Sequence, residues 1–362
     1  MTLNTQRVVL FEDRPERSEK FQEAWEEETV GEDLNIEGFD PGPEFETFDV
    51  IEPLREELGD TESPLLVILD EDLTEDTDHG VRQQDVREVC DEKNIPLCIY
   101  HRERTSEDET KRRIEEYEED VVKLDPSRDY ERLAADAANI ARAFREIRTK
   151  YLSLKGAEQQ HPIAEILCAD EAVRSQMDQY KWGNPRTIVG QIDGMSEAEK
   201  DRQFTTLLGY WIYNELLEFP GGLLNPVATA AYLNVDYEAF EDDKQYQEPF
   251  SDALYEGPFS EMGQWWWKPQ IDQIRANHMT AEDSGIPDGP ELFKRLDCDP
   301  INTSKCHDEE MGGDHEARYY GVMIQKPVCK EHSKDGGGWL PMGATRSRIS
   351  VAKHAEYNPW MQ

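Results

Sequence analysis

Basic charge is what this sequence has least of: its 362 residues carry 39 Lys and Arg against 79 Asp and Glu, a formal net charge of −40. A chain this poor in cations has little to offer a polyanion through bulk charge, which disfavours nucleic-acid binding by counter-ion release. No apolar run approaches the ~18 residues a membrane helix needs. Met1–Arg7 leads straight into Val8-Val9-Leu10-Phe11 without a signal-peptide pattern, so a soluble, cytoplasmic protein with no membrane partner is expected. A Gly-rich phosphate loop, a His-Glu-x-x-His pair and a Gly-x-Ser-x-Gly elbow are all missing, which removes the commonest nucleotide, metalloprotease and serine-hydrolase signatures. No internal repeat is visible. Aromatic residues are not scarce: eight Trp, fourteen Tyr and twelve Phe are too many for a disordered acidic chain, so it folds.

The acid is spread along the whole chain rather than gathered in a tail. At high ionic strength the self-repulsion of such a surface is screened within a few Å. In this respect the composition resembles that of proteins from halophilic archaea. Runs such as Glu26-Glu27-Glu28 and Glu115-Glu116 then read as solvated helix surface.

Composition changes along the chain. Only Trp25 lies in the first part, whereas the other seven Trp and four of the six Cys lie in the second. Length permits two cored domains. The expected organisation is an α/β domain over 1–150, a linker over 151–160 and a second domain over 161–362. That second domain is expected to be mainly helical over 161–280 and loop-rich, with Cys and His, over 290–362.

In the first part, short apolar strands alternate with charged helical periods. Strands are expected at Arg7–Phe11, weakly at Leu34–Phe39, and at Leu65–Leu69, Pro96–Tyr100 and Val121–Leu124. Helices are expected at Pro15–Glu28, Phe48–Leu58, Val81–Cys90, Glu107–Tyr117 and Asp129–Arg148. Such alternation specifies a five-stranded parallel sheet covered on both faces, and in such sheets ligands sit beyond the carboxyl ends of the strands. Glu12 and Asp13 follow the first strand, Asp70 ends the third, His101 follows the fourth and Lys123 ends the fifth. Three carboxylates converging there repel one another unless a hard divalent cation bridges them, which implies Mg²⁺. Lys123 would neutralise the remaining charge or hold a phosphoryl group on Asp70.

The segments Val8-Val9-Leu10-Phe11-Glu12-Asp13, Leu66-Val67-Ile68-Leu69-Asp70, Pro96-Leu97-Cys98-Ile99-Tyr100 and Val122-Lys123 resemble the receiver domain of two-component response regulators. The resemblance spans about the first 148 residues. It implies a flavodoxin-like fold in which Glu12, Asp13 and Asp70 bind Mg²⁺, Asp70 accepts phosphate from a histidine kinase, and Lys123 and His101 contact that phosphate. Two positions depart from the family pattern: His101 stands where a Thr or Ser is usual, and Leu124 where Pro usually follows the Lys.

The second part carries no such resemblance. Ser196-Glu197-Ala198-Glu199 opens like a capping box before an apolar helical period that Phe219-Pro220-Gly221-Gly222 breaks, and Val227–Leu233 reads as a short close-packed helix. A helix-turn-helix over Asn214–Leu233 is disfavoured, since no Lys or Arg lies between Arg202 and Lys244. Three adjacent indoles, Trp265-Trp266-Trp267, cannot all face one core from a helix, so at least one is expected to be exposed or to meet another chain or domain. Cys90, Cys98 and Cys168 read as small core residues. Cys298, Cys306, Cys329 and His332 form two pairs suited to a structural Zn²⁺ that staples a Gly-containing, loop-rich segment, with His307 and His315 as competing ligands. Four unlinked residues, or a catalytic metal with an open position, are the other readings of the same set.

The leading expectation is therefore a signal-transduction regulator, a receiver-like domain coupled to an output domain of unknown activity. Its partner would be a histidine kinase or other signalling protein, and a second copy of the chain is a further candidate. One rival is a phosphate-independent pseudo-receiver paired with a partner ATPase or kinase. The other is a metal-dependent nucleic-acid-processing enzyme in the C-terminal half, using residues such as His278, His307 or His315.

Overall fold

The computed structural model describes residues 6–39, 50–59, 63–71, 73, 80–101, 120–125, 127, 129–154, 162–177, 195–281, 283, 285–307, 313–337, 339–341 and 343–357. They divide into two compact units. Described residues 6–101, 120–154 and 195–211 make the first, and 162–177 with 212–357 make the second.

The first unit is a doubly wound α/β layer. Strands β1 (Gln6–Phe11), β2 (Leu34–Gly38), β3 (Leu66–Asp70), β4 (Leu97–Tyr100) and β5 (Val122–Lys123) form one sheet in the order β2-β1-β3-β4-β5, every pairing parallel. This is the flavodoxin-like order, with its crevice where the winding reverses, between β1 and β3. The chain buries its strands on both faces: Val8–Phe11 and Leu66–Asp70 are all buried, so they read as continuous apolar runs rather than alternations. Helix α1 (Pro15–Glu28) starts on a Pro whose fixed φ suits the first helical turn, and it buries Phe21 and Trp25. Helices α2 (Ile51–Glu57) and α3 (Gln83–Lys93) cover the opposite face, where Leu54, Val86 and Val89 pack on Val9, Phe11, Val67 and Leu69. Asn94 closes α3 in the left-handed conformation at φ 54°, which Asn tolerates better than most residues. The expected helix Glu107–Tyr117 lies outside the described residues.

Helix α4 (Tyr130–Leu154) runs 25 residues, past the expected end at Arg148. Its buried stripe is rich in alanine (Ala134, Ala137, Ala138, Ala141, Ala143), which lets it lie close to the sheet and α1. Arg142 and Arg145 clamp it to the end of α1 through Glu32 at 2.7 Å each, and Arg142 also reaches Glu28 at 3.0 Å. Burial opposes the Glu32 carboxylate, but the two guanidinium groups outweigh it and hold its pKa below the usual value.

One segment sits elsewhere than expected. The helix Glu197–Trp211, capped reciprocally by Ser196 and Glu199, belongs to the first unit rather than to the core of the second. Tyr210 accepts the backbone N–H of Leu97 at 2.7 Å, Thr206 donates to Asn94 O at 2.9 Å, and Phe204 lies against Tyr151 with ring centroids 4.6 Å apart. A Cβ on Gly209 would fall inside the Phe144 ring, so only glycine permits this approach.

The second unit is mainly helical with loops. Its core gathers Phe240, Phe250, Phe293, Leu233 and Ile271 from short helices and Trp266 from a strand. The helix Pro226–Leu233 forms as its sequence suggests: Asn225 caps it by accepting from Ala228 N at 2.8 Å, Pro226 opens it, and Asn234 ends it at φ 57°. The tryptophan run is not helical. Trp266–Trp267 form β7, antiparallel to β6 (Leu223–Leu224), so the two indoles leave on opposite sides into separate aromatic contacts, Trp266 with Phe240 and Trp267 with Tyr255. Both are buried, and the half-buried Trp265 donates to Leu217 O at 3.1 Å. Asn214–Leu233 is likewise not two helices about a tight turn, because β6 intervenes. Cys90 and Cys98 are buried as expected, whereas Cys168 is exposed at φ 53°.

The C-terminal region is built of short strands: β8 (Lys305–Cys306), β9 (Gly313–Glu316), β10 (Tyr319–Gly321), β11 (Lys326–Val328), β12 (Ser333–Lys334) and β13 (Ser347–Ser350). β8 and β9 make a two-stranded antiparallel ribbon, and the other four make a sheet in the order β11-β10-β13-β12. Among the described residues, no helix is long and apolar enough to cross a membrane.

Candidate functional site

Among the described residues, two clusters carry chemistry, one in each unit. In the first, the carboxylates of Glu12, Asp13 and Asp70 offer oxygens that all lie within 4.8 Å of one another. Glu12 and Asp13 stand in the turn that β1 hands to α1, and Asp70 is the last residue of β3, so adjacent strands bring them together at the crevice. All three side chains are buried, Asp70 to 1% exposure.

Buried carboxylates in contact hold one another's protons. Burial raises the Glu12 pKa to about 8, with repulsion from Asp70 adding to it, and hydrogen bonds from Tyr100 and the Arg14 backbone only partly offset this. Tyr100 Oη donates to Glu12 Oε2 at 2.7 Å, and Arg14 N donates to Oε1 at 3.1 Å. Burial, then the nearby Glu12 and Asp70 charges, push the Tyr100 phenol well above its usual range, so it remains a donor. Arg17, from the first turn of α1, places Nη1 3.7 Å from Asp70 Oδ2, and Arg14 Nε lies 3.9 Å from Asp13 Oδ1. An all-oxygen set in a site that holds Glu12 far above the carboxylate range fits a hard divalent cation such as Mg²⁺.

The other expected members are at the same edge of the sheet. His101 is buried directly beyond Tyr100, which is level with Asp70 across the β3–β4 ladder. Lys123, half-buried, is level with Ile99, one residue short of that line and one strand further out. Leu124 is buried and donates its backbone N–H to Ile99 O at 2.9 Å, a ladder bond that a proline there could not make. Sequence reasoning missed Tyr100 and Arg17. Tyr100 reads only as a strand aromatic, and Arg17 as one charge among many on α1.

The second cluster is Cys306, Cys329 and His332, whose ligand atoms also fall within 4.8 Å. Cys306 ends β8, and Cys329 and His332 bracket the turn between β11 and β12. Cys306 Sγ lies 3.8 Å from His332 Nδ1 and accepts the Cys329 backbone N–H at 3.2 Å. Burial lifts the Cys329 thiol to about 11, with the His332 backbone N–H pulling the other way and neighbouring Cys306 adding to the rise.

Cys298 is not part of this cluster. It donates to Gln245 O at 3.4 Å and packs on the helical core, because the chain from Leu296 turns it toward Phe293 and Gln245. His307, next to Cys306, turns its ring edge to Tyr237 at 5.2 Å. His278 Nδ1 meets Ile274 O of its own helix at 2.9 Å, and His315 lies against His332 with ring centroids 4.8 Å apart. Arg348 is engaged with Ser333 Oγ at 2.6 Å and with Asp335, joining β12 to β13. Compared with known proteins, the chain matches no protein-family model, no curated protein and no solved structure.

Proposed function

We propose that the chain is a signal-transduction regulator whose first unit works as a receiver. The observation that carries this reading is the meeting of three buried carboxylates at the β1–β3 crevice of a parallel sheet ordered 2-1-3-4-5. Asp70 is the phosphoacceptor: a carboxylate oxygen attacks the phosphorus of a kinase phosphohistidine, the N–P bond breaks, and the departing imidazole nitrogen takes up a proton. Glu12, Asp13 and Asp70 would hold Mg²⁺, which supplies the positive charge that the transferred phosphoryl group demands. Arg14, Arg17 and Lys123 are cations this chain brings to the same edge, and His101 would donate to a phosphoryl oxygen. The test is incubation of the full chain with acetyl phosphate and Mg²⁺ in molar salt, followed by intact-mass measurement. Gain of one phosphoryl group that hydroxylamine removes, and that Asp70→Asn abolishes, supports the reading, while no gain overturns it.

A second reading is favoured by the Arg17 to Asp70 contact and the Tyr100 to Glu12 hydrogen bond. Both supply from the protein itself part of what a cation would otherwise supply to the carboxylates, as expected of a pseudo-receiver that docks a partner ATPase or kinase without phosphorylation. Under this reading a bound partner survives Asp70→Ala.

A further inference from the structure

The β8–β9 ribbon and the turn after β11 have almost no apolar core of their own, whereas nearby Tyr320 and Val322 join the helical core and Ile349 packs with Met323. Around β8, β9 and β11 the buried cluster consists of Cys306, Ala317, Val328 and Cys329, with Tyr319 and Ile324 packed beside it. Half of that buried set is thiol. So few apolar groups bury too little surface to fix two short strand pairs, which is the circumstance in which small segments rely on a metal or a disulfide.

A ribbon and a turn meet there, and each presents candidate ligands. The ribbon β8–β9 carries Cys306 on one strand and His315 on the other. The turn after β11 carries Cys329 and His332 in a Cys-x-x-His spacing, and the His332 backbone N–H points to the Cys329 sulfur. Amide-to-sulfur hydrogen bonds of this kind, with Cys329 N also donating to Cys306 Sγ at 3.2 Å, stabilise thiolates. Beneath the turn, Ser333 Oγ donates to Cys329 O, and the buried Arg348 donates to Ser333 Oγ and O at 2.6 and 3.1 Å, so the ligand turn is held from behind.

Three donors, two sulfurs and an imidazole, are already gathered, and a closed tetrahedral site needs a fourth. Cys298 and His307 are committed elsewhere, to Gln245 O and to the Tyr237 ring. His315 is exposed and its ring stands 4.8 Å from the His332 ring, at an interplanar angle of 77°.

We propose that Cys306, His315, Cys329 and His332 form a structural zinc centre, with His315 and not Cys298 as the fourth ligand. Two thiolates and two imidazoles match the preference of Zn²⁺, and two of the ligands come from the β8–β9 ribbon and two from the turn after β11, so the ion ties ribbon and turn together. The inference does not depend on the receiver reading, since every residue in it belongs to the second unit.

The experiment is elemental analysis of the full chain purified without chelator, followed by zinc competition with a chromophoric chelator and by absorption of the Co²⁺-substituted protein. The expected result is one zinc per chain and a tetrahedral Co²⁺ spectrum with thiolate charge transfer. His315→Ala should weaken zinc by more than the ~10–100-fold that loss of an outer-shell partner costs, and Cys298→Ser should leave it unchanged. His315 is solvent-facing, so its replacement opens no cavity, and the circular dichroism of His315→Ala in excess zinc checks that the fold persists. The proposal is overturned by a zinc-free chain that takes up no zinc, by a Cys306–Cys329 disulfide in the protein isolated under reducing conditions, or by zinc loss in Cys298→Ser or Glu331→Gln with His315→Ala unaffected.

Discussion

Tyr100 Oη donates to Glu12 Oε2 at 2.7 Å, so the last residue of β4 reaches under β3 to hold the first acid of the crevice. The phenol cannot ionise in that environment, and it therefore serves as a fixed donor to a carboxylate that is otherwise desolvated and repelled. Tyr100→Phe removes the donor and keeps the ring against Phe21. It should cost about 1–3 kcal/mol in Mg²⁺-free buffer, the range for stranding a buried polar group, measured by urea unfolding.

Glu12 also sets a pH dependence. Its folded value of about 8 lies above its ordinary 4.5, so between these limits the folded state holds a proton that the unfolded chain has released. Metal-free stability must then fall as pH rises through that window. Mg²⁺ should raise the thermal midpoint more at pH 8.5 than at pH 5.5, and Glu12→Gln should flatten the difference. An Mg²⁺ effect that is equal at both pH values would contradict the assignment of the cluster.

Arg17 offers the means to separate the two functional readings. With Nη1 3.7 Å from Asp70, it offsets part of the buried negative charge. Arg17→Ala should destabilise the Mg²⁺-free protein by about 1–3 kcal/mol. If saturating Mg²⁺ restores the midpoint, a cation occupies the crevice. If it does not, the guanidinium is the permanent counter-charge and the pseudo-receiver reading gains.

A net charge of −40 predicts a strong dependence on salt. The screening length falls from about 10 Å at 0.1 M to about 3 Å at 1 M. The thermal midpoint should climb steadily as KCl rises from 0.1 to 3 M, and a flat or falling curve would remove the halophilic interpretation of the charge.

Tyr210 ties the helix Glu197–Trp211 to the start of β4 by accepting the Leu97 N–H. Tyr210→Phe leaves that amide buried without its partner and should cost about 1–3 kcal/mol. Hydrogen exchange should quicken at Leu97 and its neighbours in β4, while amides of the second unit keep their rates.

The sheet was legible because its strands are buried on both faces and so stand out as apolar runs between charged helices, and Glu12, Asp13 and Asp70 were legible because strand ends in a parallel sheet share one edge. Arg17 and Tyr100 were not, since nothing local distinguishes an arginine that turns inward from the many that do not. Cys298 was read as a ligand from its spacing, which says nothing of which way a turn faces: the chain bends back with a backbone bond from Cys298 N to Phe293 O, and the thiol packs on the helical core. The helix Glu197–Trp211 was legible as a helix but not as a member of the first unit. Its contacts are with residues such as Leu97, 113 positions earlier, and an amphipathic stripe does not name its partner.

That distant attachment bears on how the protein can be taken apart. A fragment cut at residue 150 would lose the last turn of α4 and uncover Phe144, the Leu97 amide and the carbonyl of Asn94, a greasy, thirsty patch on an otherwise acidic particle. Expression of the sheet alone should yield aggregates, and a soluble version requires splicing in the helix that the chain supplies only after residue 195.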